Sequence, residues 1–151
     1  MKKVLVSACI LGVNCKYNGK NNFNAEIVEL LKGREIVSVC PEALAGAGTP
    51  RPPAEIRNGK VYDINGRDID ESYRKGVERA LKEFAQEDIV CAILQPRSPT
   101  CGVREIYDGT FTGKLIEGRG IFARALTVIG IPVFDADEVE NIRKAIALTE
   151  D

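Results

Sequence analysis

The sequence of 151 residues contains no histidine. That absence excludes every mechanism needing an imidazole base, an imidazole proton shuttle or a histidine metal ligand. Charge of one sign is also missing: 21 Lys and Arg against 22 Asp and Glu leave a net charge of −1. No basic excess argues for wrapping nucleic acid or for docking on an anionic membrane surface. No apolar run approaches the roughly 18 residues that a membrane helix needs. The opening Met1-Lys2-Lys3-Val4-Leu5-Val6-Ser7 is too short in its apolar part for a secretory h-region. Repeats, heptads and low-complexity tracts are absent as well. The expectation is a cytoplasmic chain with a small-molecule partner, no nucleic acid and no membrane.

What is present is ordinary globular material, 44% hydrophobic and 28% charged, which excludes a disordered chain. The length suits one domain over residues 1–151, able to bury about 70% of the surface its unfolded form exposes. Apolar runs alternate with amphipathic stretches. Residues 3–8, 35–39, 89–94 and 131–134 read as strands, 89–94 as the most continuous of them. Asn24 is placed to cap a helix that Gly33 stops. Asp68 with Glu71 has the spacing of a capping box before a helix presenting Tyr73, Val77, Ala80, Leu81 and Phe84 on one face. Gly120 opens another helix, and Asp137 with Glu140 has the box spacing for a last one. Residues 45–58, which include Pro50, Pro52 and Pro53, read as a long loop. Residues 95–102 read as a second loop, and 107–113 as a short hairpin or exposed loop. The predicted fold is α/β: a single compact doubly wound domain, a mostly parallel sheet of about four to five strands, and helices on both faces.

The five cysteines are an odd number in a chain with no export signal. In a reducing compartment such thiols more often serve metals or catalysis than disulfides. Cys91 lies inside an apolar strand and reads as core. Cys9, Cys15, Cys40 and Cys101 instead sit beside Gly, Pro or Asn. Ligands of such sheets bind beyond the carboxyl ends of the strands. Cys9 and Cys40 close the first two strands and Cys101 follows the third, so these three are expected to converge. Five, 24 and 60 residues separate Cys9, Cys15, Cys40 and Cys101 in turn. That spacing matches neither the close Cys pairs of structural zinc sites nor the ferredoxin signatures. A metal or cluster site, incidental thiols and a disulfide all remain open on spacing alone. A Gly-x-Gly-x-x-Ala match at 118–123 lacks a proper strand before it and enough chain after it for a dinucleotide unit.

The segment Val6-Ser7-Ala8-Cys9-Ile10-Leu11-Gly12-Val13-Asn14-Cys15-Lys16-Tyr17-Asn18-Gly19 resembles the opening of the DUF523 family, which includes thiouracil desulfidase. Cys40-Pro41-Glu42, Thr49-Pro50-Arg51-Pro52-Pro53-Ala54-Glu55-Ile56, Arg97-Ser98-Pro99-Thr100-Cys101-Gly102 and the 106–113 segment continue the resemblance in order. Residues 43–48 depart slightly from the glycine-rich form expected after Cys-Pro-Glu. The resemblance implies a small α/β enzyme that holds a [4Fe-4S] cluster by Cys9, Cys40 and Cys101. It implies Glu42 and Ser98 as the acid/base and polar catalytic positions. The implied reaction is hydrolytic removal of sulfur from a thiolated nucleobase such as 2-thiouracil, without net redox. A cluster-binding or sulfur-carrying protein without catalysis, and an all-Cys zinc protein, are the alternative readings. Cys15, Arg51, Arg97, Tyr107 and Phe111 are the weaker candidates for contacts to substrate. Against them stand ordinary solvated charges for the two arginines and loop packing for the two aromatics.

Overall fold

The computed structural model describes residues 2–149. A four-stranded parallel sheet is formed by β1 (Lys2–Ser7), β2 (Glu35–Val39), β5 (Asp88–Leu94) and β8 (Val133–Asp135), in the spatial order β2-β1-β5-β8. The central strands read as continuous apolar runs because helices cover both faces of the sheet. Alternate side chains go to opposite sides. Val4, Val6, Cys91 and Ile93 pack with Ile27 and Leu31 at α1 (Ala25–Leu30) and with Ile142 and Ile146 of α5 (Val139–Ala147). Leu5, Ala92 and Leu94 pack the other way, against Tyr73, Val77 and Ala80 of α3 (Asp70–Glu83) and Phe122 and Leu126 of α4 (Ile121–Val128). The doubly wound arrangement, the four strand positions and the buried face of α3 therefore agree with the reading of the sequence. Among the described residues, no helix is long and apolar enough to cross a membrane.

The helix starts divide. Asn24 caps α1 as expected, its Oδ1 accepting from the Ile27 amide at 3.1 Å. The Asp68–Glu71 box does not form. Asp68 bridges back to Tyr62, so α3 begins two residues later, with Ile69 as the cap residue and no side-chain capping bond. Asp70 accepts instead from the Val61 amide. The Asp137–Glu140 box also fails: α5 starts after Glu138, whose carboxylate accepts from the Asp135 amide at 2.8 Å.

Two antiparallel hairpins sit beside the main sheet. The 45–58 loop ends in one of them, β3 (Ala54–Arg57) paired with β4 (Lys60–Asp63). Its turn is Asn58-Gly59, with φ of 51° and 78°. Both values are positive, the conformation a tight two-residue hairpin turn needs and the one this dipeptide favours. The second hairpin pairs β6 (Glu105–Tyr107) with β7 (Leu115–Glu117), so residues 107–113 are mostly its connection. Because β7 lies in this hairpin and outside the parallel sheet, the 118–123 match has no dinucleotide-binding context.

One close approach governs the functional end of the molecule. The short helix α2 (Pro41–Leu44) crosses α3 where α3 carries Gly76. A methyl group at Gly76 would overlap the Pro41 carbonyl oxygen and crowd Ala45. Gly76→Ala is therefore expected to push α2 outward and lower stability by about 1–3 kcal/mol, the range for overpacking. A thermal melt should show a Tm lower by roughly 3–10 °C for a chain of this size. An unchanged Tm would mean that the two helices do not meet this closely.

Candidate active site

The order of the parallel strands reverses direction between β1 and β5. At such a switch point the two connecting helices leave on opposite faces and open a crevice at the strand carboxyl ends. Ser7, the last residue of β1, accepts through its Oγ from the Gln95 amide just past β5, at 3.1 Å, and so ties the two strand ends together. Beyond them lies a cavity of about 570 Å³.

Four of the five cysteines line it. Cys9 sits in a single 3-10 turn, residues 8–11, that follows β1 directly. Cys40 is the residue between β2 and α2, with Pro41 in the first helical position, where a missing amide proton costs nothing. Cys101 follows β5 in a tight turn closed by the Gly102 amide on the Ser98 carbonyl. The convergence expected of Cys9, Cys40 and Cys101 is what the chain adopts. Cys15 joins them, only 8% exposed. Cys91 is fully buried on the far side of β5, in the core against α1 and α5. All five thiols are free.

The thiols differ in acidity for identifiable reasons. Hydrogen bonding from Cys15 is the main force lowering Cys9, to about 7, with Asn22 helping and burial opposing. The same Cys15 contact lowers Cys40, again against burial. Cys15, which bonds to both, is itself raised. Burial pushes Cys101 up to about 12, while hydrogen bonds from Ser7 and Thr100 pull the other way. Cys15 thus lies within hydrogen-bonding reach of both Cys9 and Cys40. Among the described residues, no three His, Cys, Asp or Glu side chains are grouped to hold a single metal ion. The donors form a cavity wall rather than the closed tetrahedron of a structural zinc site. A thiolate-bound iron–sulfur group fits such a set: soft donors, on three separate strand ends, around a cavity.

Glu42 stands in the first turn of α2, two residues from Cys40. Its Oε1 accepts from Arg51 Nη2 at 2.9 Å, from Arg51 Nε at 3.3 Å and from the Tyr73 hydroxyl at 3.2 Å. Its Oε2 accepts from Thr100 Oγ1 at 2.9 Å. Burial, and then the adjacent Glu42 charge, raise Tyr73, which stays a phenol. Arg51 lies against the site with its donors engaged. Besides Glu42 it reaches the carbonyl oxygens of Cys15 at 2.8 Å and Gly48 at 3.1 Å. It therefore pins the 45–58 segment and the Cys15 loop onto Glu42. Ser98 also lines the cavity, its Oγ accepting from the Thr100 and Cys101 amides at 3.1 and 3.0 Å.

The remaining candidates also border the cavity. Arg97 is exposed, with φ of 66°, and its backbone bridges to Ile106. Phe111 has φ of 58° and is held by Glu55, whose Oε1 accepts from the Phe111 amide at 3.1 Å and the Gly109 amide at 3.0 Å. Left-handed backbone at two non-glycine residues is uncommon, and such residues cluster at ligand sites. Tyr107, at the end of β6, completes that wall. Sequence reasoning did not single out Thr100, Tyr73, Ser7 or Asn22. Thr100 lies inside the motif at 97–102, but nothing local shows its bond to Glu42. Tyr73 carried only the signal of a core residue on an amphipathic helix.

A family model described as 2-thiouracil desulfurase matches residues 4–138. The uncharacterised protein YbbK of Bacillus subtilis (strain 168) is 36% identical over 149 residues, covering 92% of this chain and 99% of its own. A solved structure titled as the [4Fe-4S]-dependent thiouracil desulfidase TudS superposes with a TM-score of 0.91 at 34% identity, covering 99% of this chain and 100% of that one.

Proposed function

This chain belongs to the 2-thiouracil desulfurase family, and from that premise we propose that it is a desulfidase removing sulfur from a thiolated nucleobase such as 2-thiouracil. The reaction is a hydrolysis: the thiocarbonyl compound and water give the carbonyl compound and sulfide, with no net electron transfer. The observation that carries this reading is the meeting, in one cavity, of the Cys9, Cys40 and Cys101 thiols with a carboxylate, Glu42, rigidly held beside them. The cofactor is a [4Fe-4S] cluster, with Cys9, Cys40 and Cys101 as its protein ligands. When bound there, the cluster would supply a soft Lewis acid toward a thiocarbonyl sulfur and so make the attached carbon more electrophilic.

The chain's own groups do the rest. Water attacks that carbon and must lose a proton, and with no histidine in the chain a carboxylate beside the thiols is the natural base. Glu42 takes up this proton. Arg51 and Tyr73 already saturate its Oε1, which leaves Oε2 the acceptor capacity. Ser98 supplies a hydroxyl on the same wall. Tyr107 and Phe111 offer aromatic surface for a planar ring, and Arg97 a guanidinium at the rim. Cys15 lines the same cavity beside Cys9 and Cys40, outside the proposed three-thiol ligand set. We read residues 1–151 as one such domain, working in the cytoplasm, where free thiols stay reduced.

The deciding experiment is anaerobic purification and reconstitution, with iron and acid-labile sulfide measured on one sample, followed by incubation with 2-thiouracil. The expected result is about four iron and four sulfide per chain, as the cluster type requires, and uracil formed in step with released sulfide. Iron and sulfide both absent after reconstitution, or a loaded protein inert to thiouracil, would overturn the reading. Zinc in place of iron would return the chain to the structural-metal alternative.

A further inference from the structure

A hydroxyl owns one proton, so a chain of hydroxyls has a direction once one end is anchored. Thr100 Oγ1 has three neighbours: Glu42 Oε2 at 2.9 Å, Ser98 Oγ at 2.8 Å and Cys101 Sγ at 3.7 Å. The carboxylate only accepts, and a charged acceptor at 2.9 Å outcompetes a weak sulfur acceptor at 3.7 Å. The Thr100 proton therefore points to Glu42. It is then not available to Ser98, so in the 2.8 Å contact Ser98 donates and Thr100 accepts. Both amide bonds to Ser98 Oγ run inward, from Thr100 and Cys101. The order is Ser98 Oγ–H to Thr100 Oγ1–H to Glu42 Oε2. Thr100 is only 2% exposed, which shields the middle of this path from bulk water.

Resting on the desulfidase reading, we infer that Thr100 is a positioning residue that fixes Glu42 Oε2 as the proton acceptor on the cavity wall. Ser98 Oγ accepts from the Thr100 and Cys101 amides and donates to Thr100 Oγ1, so its lone pairs and its proton are all engaged and it anchors Thr100. Thr100 donates its own proton to Oε2 and leaves that oxygen a further lone pair for the proton of the attacking water. In that step a water O–H bond breaks and a Glu42 O–H bond forms, and no oxidant or reductant takes part. The two other partners of Glu42, Arg51 and Tyr73, hold it from behind.

The test compares Thr100→Val, which removes the hydroxyl and keeps the branched shape, with Thr100→Ser, which keeps the hydroxyl. Thr100→Val should retain iron and sulfide content, lose kcat by roughly 100-fold or more, as general-base contributions do, and change KM by less than about threefold. Thr100→Ser should stay within about fivefold of the parent. In metal-free protein, the isotope-edited infrared carboxylate band of Glu42 should shift in Thr100→Val and hold its place in Thr100→Ser. An active parent with an unimpaired Thr100→Val overturns the positioning role alone. So does a Thr100→Ser as slow as Thr100→Val, or a Thr100→Val that cannot hold iron while Thr100→Ser can. A loaded parent that releases no sulfide from thiouracil overturns the desulfidase reading and the positioning role with it.

Discussion

Glu42→Gln should leave a folded, iron-loaded protein that turns over 2-thiouracil at least about 100-fold more slowly, since a positioned base contributes roughly 10²–10⁴. The substitution keeps the shape of the side chain. An amide oxygen can still accept from Arg51 and Tyr73, but the amide nitrogen now faces Thr100 Oγ1 and donates where the carboxylate accepted. The hydroxyl chain reverses, and the proton acceptor is gone. Arg51 loses its charged partner in a site where the two side chains are only 9% and 15% exposed. A stability loss of about 1–3 kcal/mol should follow, because the hydrogen bonds persist while the charge pairing does not. Turnover by Glu42→Gln at the parent rate, with full iron, would remove Glu42 from the chemistry and favour a carrier role.

Loss of the cluster is the second large effect. Cys9→Ser, Cys40→Ser and Cys101→Ser should each abolish stable iron binding, and with it all turnover, because a serine oxygen is a poor substitute for thiolate toward iron. Cys15→Ser should retain iron, since Cys9, Cys40 and Cys101 already supply the three strand-end thiols and Cys15 lies in the loop beyond the 8–11 turn. Cys91→Ala should also retain iron and lose only about 1–2 kcal/mol, from one buried sulfur and the small void left behind. Iron analysis of the five variants, each checked by a thermal melt, decides this. An emptied site in Cys91→Ala, or full iron in any of the three ligand variants, would overturn the assignment.

These expectations rest on features of unequal visibility. The strands around Val4–Val6 and Ile89–Leu94 announce themselves, since a run of consecutive apolar residues is stable only when both faces are covered. The α3 face is equally plain, because helical periodicity is a local property. The β3–β4 hairpin was also written locally, in Asn58-Gly59, but the nearby prolines made the segment read as loop. The two capping boxes show the converse error. Asp68 and Asp137 have the right residue type, yet the Asp68 backbone is drawn into a bridge with Tyr62 while its Oδ1 accepts only from the Asp70 amide, and α5 starts after Glu138, one residue past Asp137, with the Glu138 carboxylate on the Asp135 amide. Spacing can nominate a cap, but it cannot exclude a competing bond.

By itself the sequence determined the parallel α/β frame and, through it, the placement of Cys9, Cys40 and Cys101 at strand ends, because patterning sets which runs become strands and loops must leave at their carboxyl ends. It also determined that no imidazole can serve as the base here, which makes a carboxylate beside the thiols the natural candidate. Only the tertiary structure decided what Glu42 is bonded to. Its partners lie 9, 31 and 58 residues away, on a loop, a helix and a turn. It decided as well that Cys15 joins Cys9 and Cys40 on one cavity wall, and that α2 and α3 meet at Gly76. Hydrogen bonds are short and directional, so their partners are set by where separate segments cross in space, a distance that local periodicity does not encode.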